Sequence, residues 1–314
     1  MKYVLAPLAG FTNAAFRRLA ARRGADLTYT EMVSAAGLFH GSSPTRHLME
    51  VLPGEGPVAC QLFGAKPEEL AFAAAEATKL NRFVELNLNA GCPMTKIVKE
   101  GAGAALLRNP DKVHACLRAM VEATTLPVTL KTRPGPRPDA VLLHELLDAA
   151  ETAGAKGFIL HARFTSQMHG GEVQLDQLAE LVRCARVPVT GNGSVKDRPT
   201  AKRMAQTGVD ALMIGRAALA RPGIFNELKG AAAEETPEAL FQEHLDALLE
   251  LREQLDRKFP KDHVPSPDGF VSTALHTHLF RYFTGRPGAA ALRQRLNAIR
   301  TLAEVREVLA GGAR

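Results

Sequence analysis

The first two thirds of the chain contain short runs in which apolar and polar residues alternate, separated by stretches with apolar residues at helical spacing. Alternation is typical of strands, and a spacing of three to four residues is typical of helices. The predicted strands are residues 3–9, 27–33, 57–64, 83–88, 127–133, 157–163, 187–191 and 210–215. The predicted helices between them are residues 13–23, a helix that begins at 67, and residues 110–123, 140–153, 175–185 and 198–207.

Strands that alternate with helices eight times over ~220 residues predict a closed, parallel (β/α)8 TIM barrel. An open, doubly wound sheet is the alternative. The dinucleotide fingerprint of such sheets, GxGxxG after the first strand, is missing from this sequence. A barrel is therefore the predicted fold of residues 1–230.

The pattern changes after Lys229, where an alanine-rich linker over residues 231–237 precedes sequence without a strand signal. Residues 237–257 carry their apolar positions on one helical face, and two further helices are predicted over about 271–284 and 287–309. Residues 259–269 hold three prolines and should be irregular. We therefore expect a small all-helical C-terminal domain over residues 237–314.

The composition is ordinary for a globular protein, with 46% hydrophobic and 23% charged residues in a chain of 314. No apolar run approaches the ~20 residues of a membrane span, and the N-terminus enters a strand pattern rather than a signal peptide. The four cysteines form neither a CxxC pair nor a metal-ligand spacing. These features predict a reduced, cytoplasmic protein with no membrane segment and no bound metal, and we expect a monomer.

Positive charge is concentrated at the C-terminal end. The net charge is +6 at pH 7, and beyond Gly269 seven arginines and no lysine stand against two glutamates. A helix that begins near residue 287 would place Arg293 and Arg300 on one face, with Arg286 extending the row. Such a row suits a phosphate backbone, because arginine binds phosphate in a bidentate manner. A solvated face that only aids solubility is the alternative.

The fourth predicted strand ends at a single thiol, in the stretch FVELNLNAGCPM. Gly91 and Pro93 break the strand, so Cys92 is predicted to lie on a turn at the face where such barrels carry out chemistry. An inert, buried cysteine is the alternative that residue type alone favours.

Further candidate site residues stand at the other predicted strand ends, which should converge on one mouth of the barrel. Glycine-containing loops after strands 7 and 8 commonly bind phosphate in such barrels, and Arg216 adds charge there. Lys131 and Gln61 are placed to meet the edge of a ring, and a cation at that edge stabilises a reduced flavin, so FMN is the predicted cofactor. In chain order the strand-end candidates are Pro7, Leu8, Ala9, Gly10, Gln61, Asn89, Cys92, Lys131, Arg133, His161, Arg163, Asn192, Gly193, Ser194, Gly215 and Arg216.

These motifs, taken in order, resemble those of the tRNA-dihydrouridine synthases. The matching stretches are APLAG at 6–10 with FR at 16–17, TEMVS at 30–34, QLFG at 61–64, NAGCP at 89–93 with a lysine at 96, GAGA at 101–104, KTR at 131–133, HAR at 161–163, NG at 192–193, MIGR at 213–216 and HLFRYF at 278–283. The resemblance implies an FMN-containing barrel that reduces uridine in tRNA with NADPH, and a helical domain that docks RNA.

The same resemblance implies individual roles. Cys92 matches the catalytic acid, and Asn89 and Arg163 match positions near the uracil. The implied chemistry is hydride transfer from FMN N5 to C6 and proton donation from Cys92 to C5, and a thiol, with an ordinary pKa of ~8.5, is protonated at neutral pH. Positions matching FMN contacts are Pro7, Leu8, Ala9, Gln61, Lys131, His161, Asn192, Gly193, Ser194, Gly215 and Arg216.

The chain also departs from the family pattern. Leu8 stands where the family often has Met, and Asn87 where it commonly has Asp. The run Thr-Arg-x-Gln-x-Tyr that usually follows Arg163 is replaced by FTSQMH, with His169 at the tyrosine position, and this change bears on target preference. In the helical motif, Arg281 replaces an aromatic residue.

Two rival functions remain open on the sequence. A flavin barrel acting on a small pyrimidine, of the dihydroorotate or dihydropyrimidine oxidoreductase type, would share the barrel, the phosphate loops and the strand-end lysine, but has no need of a basic helical domain. An RNA-binding barrel without activity has no need of Cys92, Lys131 and both phosphate loops.

Overall fold

The computed structural model places a closed parallel barrel at the centre of the molecule, and it describes residues 1–231, 235–285 and 289–310. β1 pairs in parallel with both β2 and β9, and β2 also pairs with β4, so the ring closes and the predicted barrel is confirmed. A short β3 resumes the line of β2 and pairs with β4. The strands are β1 Lys2–Leu5, β2 Leu27–Tyr29, β3 Val33–Ser34, β4 Val58–Phe63, β5 Glu85–Ala90, β6 Val128–Thr132, β7 Phe158–His161, β8 Val189–Asn192 and β9 Ala211–Ile214.

Helices surround the barrel at the predicted places, and local sequence explains where they begin. The Asn13 side chain caps the first helix by accepting from the Phe16 N–H, and Asn109 followed by Pro110 starts another in the same way. The helices are α1 Ala14–Arg22, α2 Ala35–Phe39, α3 Ser43–His47, α4 Pro67–Lys79, α5 Thr95–Lys99, α6 Pro110–Glu122, α7 Leu143–Thr152, α8 Leu175–Cys184, α9 Arg198–Ala205, α10 Arg216–Ala220 and α11 Ile224–Lys229, with 3-10 turns at Gly103–Arg108 and Thr165–Gln167.

The strands present one face to the helices and the other to the barrel interior. On β5, Leu86 and Leu88 belong to the main apolar core under the helices, and the residues that alternate with them, Asn87 and Asn89, lie on the opposite face. β5 runs two residues further than predicted, because Asn89 and Ala90 still pair with β6. Asn89 is therefore held by the strand and not by the following turn.

The C-terminal region is helical, but two of its predicted helices were wrong. The predicted helix over 271–284 begins earlier, at Pro267 after a Ser266 cap, and ends at Thr277. The predicted helix over 287–309 is broken around residues 299–301, where Thr301 and Glu304 exchange hydrogen bonds that start a new helix. The elements are α12 Pro237–Lys258, α13 Pro267–Thr277, a 3-10 turn Leu279–Phe283, α14 Ala289–Ala298 and α15 Leu302–Ala310.

The break also corrects the predicted arginine row. Arg293 lies on α14, whereas Arg300 lies beyond its end and donates to the Asn297 and Ile299 carbonyls. The two arginines therefore do not share a helical face, and Arg286 lies outside the described residues.

The C-terminal helices dock against the first helix of the barrel. Three arginines in or next to the first helix form ion pairs with acidic residues of the C-terminal region. Arg18 and Arg22 of α1 pair with Glu250 and Glu243 of α12. Arg23, just after α1, pairs with Glu243 and with Glu235, which precedes α12. Phe16 packs its ring 4.3 Å from that of His278, whose Nε2 is 2.9 Å from the Leu219 carbonyl of α10. No helix in the described ranges is long and apolar enough to cross a bilayer.

Candidate active site

A cavity of about 920 Å³ opens at the carboxyl ends of the strands. This is the face at which barrels of this type carry their active sites. All strand-end candidates except Gln61 and Gly10 line it. Its lining residues include Pro7, Leu8, Ala9, Asn89, Cys92, Lys131, Arg133, His161, Arg163, Asn192, Gly193, Ser194, Gly215 and Arg216.

The charge of the cavity has one sign. Among the described residues that line it there is no aspartate or glutamate, while the basic side chains are Lys131, Arg133, His161, Arg163, His169, Lys196, Arg203 and Arg216. Burial and neighbouring cations both disfavour the protonated form of a basic side chain. Burial, followed by the charges of Lys131 and Arg133, lowers the pKa of His161 far below its ordinary value, so this imidazole is neutral at pH 7. An anionic ligand would relieve the repulsion.

Cys92 lies on the wall of the cavity, in a turn whose backbone is held in place by hydrogen bonds. Its N–H and that of Gly91 donate to the Asn89 Oδ1 at 3.0 and 3.1 Å. Its carbonyl accepts from the Ala104 N–H at 2.9 Å, and Arg133 Nε donates to the Gly91 carbonyl at 2.8 Å. The thiol is partly exposed, so the predicted turn location is confirmed and the thiol is accessible from the cavity.

Lys131 projects from β6 next to this turn. Its Nζ donates to the Asn192 Oδ1 at 3.2 Å, and the Asn192 Nδ2 donates in turn to the Met213 carbonyl. Burial, and then the charge of Arg133, lowers the pKa of Lys131 to about 7. A negative charge bound beside this lysine stabilises its protonated form, so the site favours an anionic ligand.

The segment after β7 covers one side of the cavity. Arg163 donates from Nε and Nη2 to the carbonyls of Gly170 and Gly171, and from Nη2 to the Ser194 hydroxyl at 2.6 Å. Its Nη1 is buried and has no hydrogen-bond partner in the part of the chain that the structure describes. A buried donor of this kind calls for a ligand atom. His169 of this segment is exposed and its ring lies 6.3 Å from that of His161.

The loops after β8 and β9 leave backbone accessible to a ligand. Gly193 has φ +132° and a Cβ there would lie 2.8 Å from a methyl group of Val173, so a side chain is excluded. Gly215 precedes α10, and Arg216 donates to the His169 carbonyl at 3.0 Å. These are the two loops for which the sequence predicts phosphate binding.

Some predicted site residues lie elsewhere. Gln61 is fully buried one layer below the cavity, with its amide paired to Asn87 and Asn89, so this placement does not support its predicted contact with FMN. Arg293 on α14 and Arg300 between α14 and α15 are both exposed, and neither lines the cavity. The sequence analysis missed Phe11, Met32, Lys196, Thr200 and Arg203 of the cavity wall; the last three follow β8, whose glycine loop was the available signal.

One group of potential metal ligands occurs in the described ranges, outside the cavity. His144 of α7 and Glu180 and Cys184 of α8 bring their ligand atoms within 4.8 Å of one another. Arg183 already pairs with Glu180. The expected absence of a bound metal stays a prediction.

Comparison with known proteins gives one family. A family model described as "Dihydrouridine synthase (Dus)" matches residues 4–312. tRNA-dihydrouridine synthase B of Vibrio cholerae is 32% identical over 315 residues, covering 98% of this chain and 94% of that protein. A probable tRNA-dihydrouridine synthase of Treponema pallidum is 36% identical over 234 residues, covering 71% and 69%. Among solved structures, morphinone reductase aligns with a TM-score of 0.51 at 14% identity, covering 76% of this chain and 88% of that one, a likeness of fold alone.

Proposed function

Because the chain belongs to the dihydrouridine synthase family, we propose that it reduces the C5–C6 double bond of uridine in tRNA to give 5,6-dihydrouridine. The observation that carries this proposal is the cavity itself, in which one accessible thiol stands among basic side chains and no acidic ones line the wall, as far as the chain is described. A thiol can donate a proton, and the basic groups suit the phosphates of a cofactor and of RNA.

The cavity residues fit a flavin mononucleotide. The unpartnered Arg163 Nη1, the amine of Lys131 and the glycine loops at Gly193 and Gly215 offer donors to an anionic ligand. When bound, the flavin supplies the hydride for C6 of the uracil, and NADPH is the proposed donor that reduces it. The residues proposed to hold it are Pro7, Leu8, Ala9, Lys131, His161, Asn192, Gly193, Ser194, Gly215 and Arg216.

The protein's own part in the chemistry is to hold the uracil and to deliver a proton. The Cys92 Sγ–H bond breaks as a C5–H bond forms, which leaves a thiolate. Lys131 and Arg133 lie close enough for their charges to interact with Cys92, so they stabilise that thiolate. Asn89 and Arg163 line the same wall and are proposed to position the base.

The C-terminal helices provide a surface that leads from the cavity. Arg281 lies over the ring of Phe11, which lines the cavity, at 5.2 Å, and over Phe280 at 5.4 Å. Arg293 of α14 also lies over the Phe280 ring, at 4.9 Å. Alternating arginine and aromatic side chains suit phosphates and unstacked bases, so we propose that tRNA docks here, with the target uridine turned out of its stack into the cavity.

The remaining expectations belong to the same proposal. We propose that residues 1–230 form the catalytic domain and residues 237–314 the tRNA-binding domain, and that the protein acts as a monomer in the cytoplasm, where its four cysteines remain unpaired.

Dihydrouridine in tRNA tests the proposal directly. In cells that lack the gene, the target uridines of tRNA should be unmodified. Incubation of that tRNA with purified protein, FMN and NADPH should convert the same positions to dihydrouridine. Reduction of free uracil or orotate at a comparable rate, with no product in tRNA, would instead establish the small-pyrimidine function.

A further inference from the structure

The barrel interior beneath the cavity contains a row of polar side chains, where branched apolar residues usually pack. Glu85, Asn87 and Asn89 alternate along β5 and share its inner face. Gln61 of β4 and Thr129 of β6 are the register neighbours of Asn87 on either side. All but Glu85 are at most 7% exposed, so their polar atoms must pair with one another.

These side chains form a continuous series of hydrogen bonds, the relay, that ends at the backbone of the Cys92 turn, and the Asn89 Nδ2 also donates to the Met32 Sδ at 3.0 Å. Each member donates to the next, and the series runs Cys92 N–H to Asn89 Oδ1 at 3.0 Å, Asn89 Nδ2 to Gln61 Oε1 at 2.9 Å, Gln61 Nε2 to Asn87 Oδ1 at 2.7 Å, Asn87 Nδ2 to Thr129 Oγ1 at 2.7 Å, and Thr129 Oγ1 to Glu85 Oε1 at 2.6 Å. The Tyr29 hydroxyl also donates to the same Glu85 oxygen, at 2.7 Å.

The carboxylate determines the direction of the whole relay. Burial raises the pKa of Glu85 above its ordinary value, and the hydrogen bonds from Thr129 and Tyr29 oppose that shift. In its ionised form the carboxylate can only accept hydrogen bonds, so Thr129 donates its proton to Glu85 and the Thr129 oxygen accepts from Asn87. The Asn87 amide oxygen is then left to accept from Gln61, and the Gln61 oxygen to accept from Asn89. The Asn89 oxygen is thereby turned toward the two N–H groups of the turn.

The reversed relay is unfavourable at its upper end. It would point the Asn89 NH2 group at the N–H groups of Gly91 and Cys92, so donors would face donors. A buried donor without an acceptor costs about 1–3 kcal/mol. The two backbone N–H groups at the upper end and the carboxylate at the lower end therefore favour the same direction of the relay.

We propose that Glu85 is a positioning residue, whose carboxylate fixes the Cys92 turn through this relay. Only the rate measurement below rests on the proposed function. Asn87 lies two residues further along the same strand face as Glu85 and bonds to both Gln61 and Thr129. The proposal therefore predicts that the charge is needed on this face but can be moved from one position to the other.

The test uses the flavin-loaded protein with Glu85→Gln, which keeps the size of the side chain and lets it donate as well as accept. Amide exchange at Gly91 and Cys92, followed by mass spectrometry of a peptide covering 89–94, should become faster. Dihydrouridine formation by pre-reduced enzyme should fall about tenfold to a hundredfold in kcat, the scale of a small misplacement of a reacting group, with KM and FMN content unchanged. Glu76→Gln is the control and should change neither, because this partly exposed side chain lies on α4, outside the barrel interior, and pairs with Lys79.

The decisive variant is the double substitution Glu85→Gln with Asn87→Asp. Asp at 87 can accept from both Gln61 and Thr129, so it restores the direction of the relay, and both amide protection and kcat should recover. Thr129→Val cuts the relay without removing the charge and should reproduce both defects. Wild-type exchange in Glu85→Gln, or a double variant as impaired as the single one, would overturn the proposal. If wild-type protein makes no dihydrouridine, the proposed function fails, while the exchange measurement still decides the relay.

Discussion

Lys131 shows how a single buried amine links ligand binding to stability. An unfolded lysine has a pKa of ~10.4, whereas burial and Arg133 lower that of Lys131 to about 7 in the cofactor-free protein. Between these two values the unfolded chain binds more protons than the folded one, so the free energy of unfolding rises with pH. The lysine is therefore a cost to the cofactor-free fold at neutral pH, and an anion placed beside it removes that cost.

Replacing this amine should separate stability from binding. We expect Lys131→Met to stabilise the flavin-free protein at pH 6.5 by about 1–3 kcal/mol, since each pKa unit corresponds to about 1.4 kcal/mol and the partly exposed amine keeps some hydration. The gain should shrink as the pH approaches 10, and FMN should bind more weakly. Denaturant unfolding at both pH values, with FMN titrations, measures this, and a gain that does not vary with pH would contradict it.

Cys92 is the residue on which the proposed chemistry depends. Cys92→Ala should slow dihydrouridine formation about 10²–10⁴-fold, the usual contribution of a general acid, while NADPH still reduces the bound flavin. Cys60 is the matched control, because its thiol lies in the core under the helices and burial raises its pKa to about 12. Single-turnover rates of the two alanine variants decide the point; equal losses would remove Cys92 from its role.

The single-residue predictions succeeded where a strand end determined the direction of a side chain. Cys92, Lys131 and Asn192 were assigned to the mouth from their places at or just after the ends of strands, and all three line the cavity. Gln61 lies within β4, so its side chain enters the barrel interior and donates to Asn87, and its contact with FMN stays a prediction. Hydrogen bonds between side chains on neighbouring strands, including those of the relay to Glu85, depend on the register of the strands. The local sequence pattern does not specify that register.

Among the elements, a close contact, here called the clasp, joins the Cys92 turn to the 3-10 turn Gly103–Arg108. Gly103 has φ +57°, and a Cβ there would lie 2.7 Å from the Cys92 carbonyl oxygen and 2.8 Å from Ile97. Any side chain at this position would push the turn away from the helix and shift the thiol.

Two alanine substitutions isolate this contact. Gly103→Ala should lower the free energy of unfolding by about 1–3 kcal/mol and reduce dihydrouridine formation with FMN retained. Gly101→Ala carries a similar backbone strain, at φ +75°, but its Cβ would have room, 3.6 Å from Ala65, so it should lose stability and keep its activity. Unfolding curves and single-turnover rates compare them, and equal activity in both variants would exclude the clasp.

Element boundaries in the C-terminal region were the weakest part of the sequence analysis, although signals were present. Ser266 before Pro267 marks the true start of α13. Thr301 and Glu304 have the capping-box spacing that begins α15. The apolar periodicity continues through the start of α13 and through the break between α14 and α15. Periodicity alone therefore misplaced the start of α13 and merged α14 and α15 into one predicted helix.

At the scale of the whole molecule, the helices reach the cavity through few side chains. Phe11 lines the cavity and packs against His278 and Arg281 from the C-terminal region. The sequence predicted a basic helical region, but this contact joins segments that lie far apart in the chain. Its location follows from the docking of α12 on α1, which the sequence pattern does not specify.

RNA binding should be separable from flavin chemistry at this scale. Arg293→Ala should weaken tRNA binding and lower the slope of log affinity against log salt by about one unit, because one phosphate contact is lost. Arg118→Ala, an exposed arginine on α6, should do neither, and FMN content should be normal in both. Unchanged affinity at low salt in the Arg293 variant would place the RNA-binding surface elsewhere.

The unequal surroundings of the cysteines make the protein selectively open to alkylation. Cys60 and Cys116 are buried, and the exposed Cys184 has its Sγ 3.6 Å from a Glu180 oxygen. Cys92 is partly exposed and lies close to the charges of Lys131 and Arg133, on a cavity wall that has no carboxylate among the described residues. A negatively charged reagent such as iodoacetate should therefore modify Cys92 before Cys184, a preference that peptide mass spectrometry can follow. The order should weaken with uncharged iodoacetamide, so a covalent inhibitor of this site gains selectivity from an anionic group.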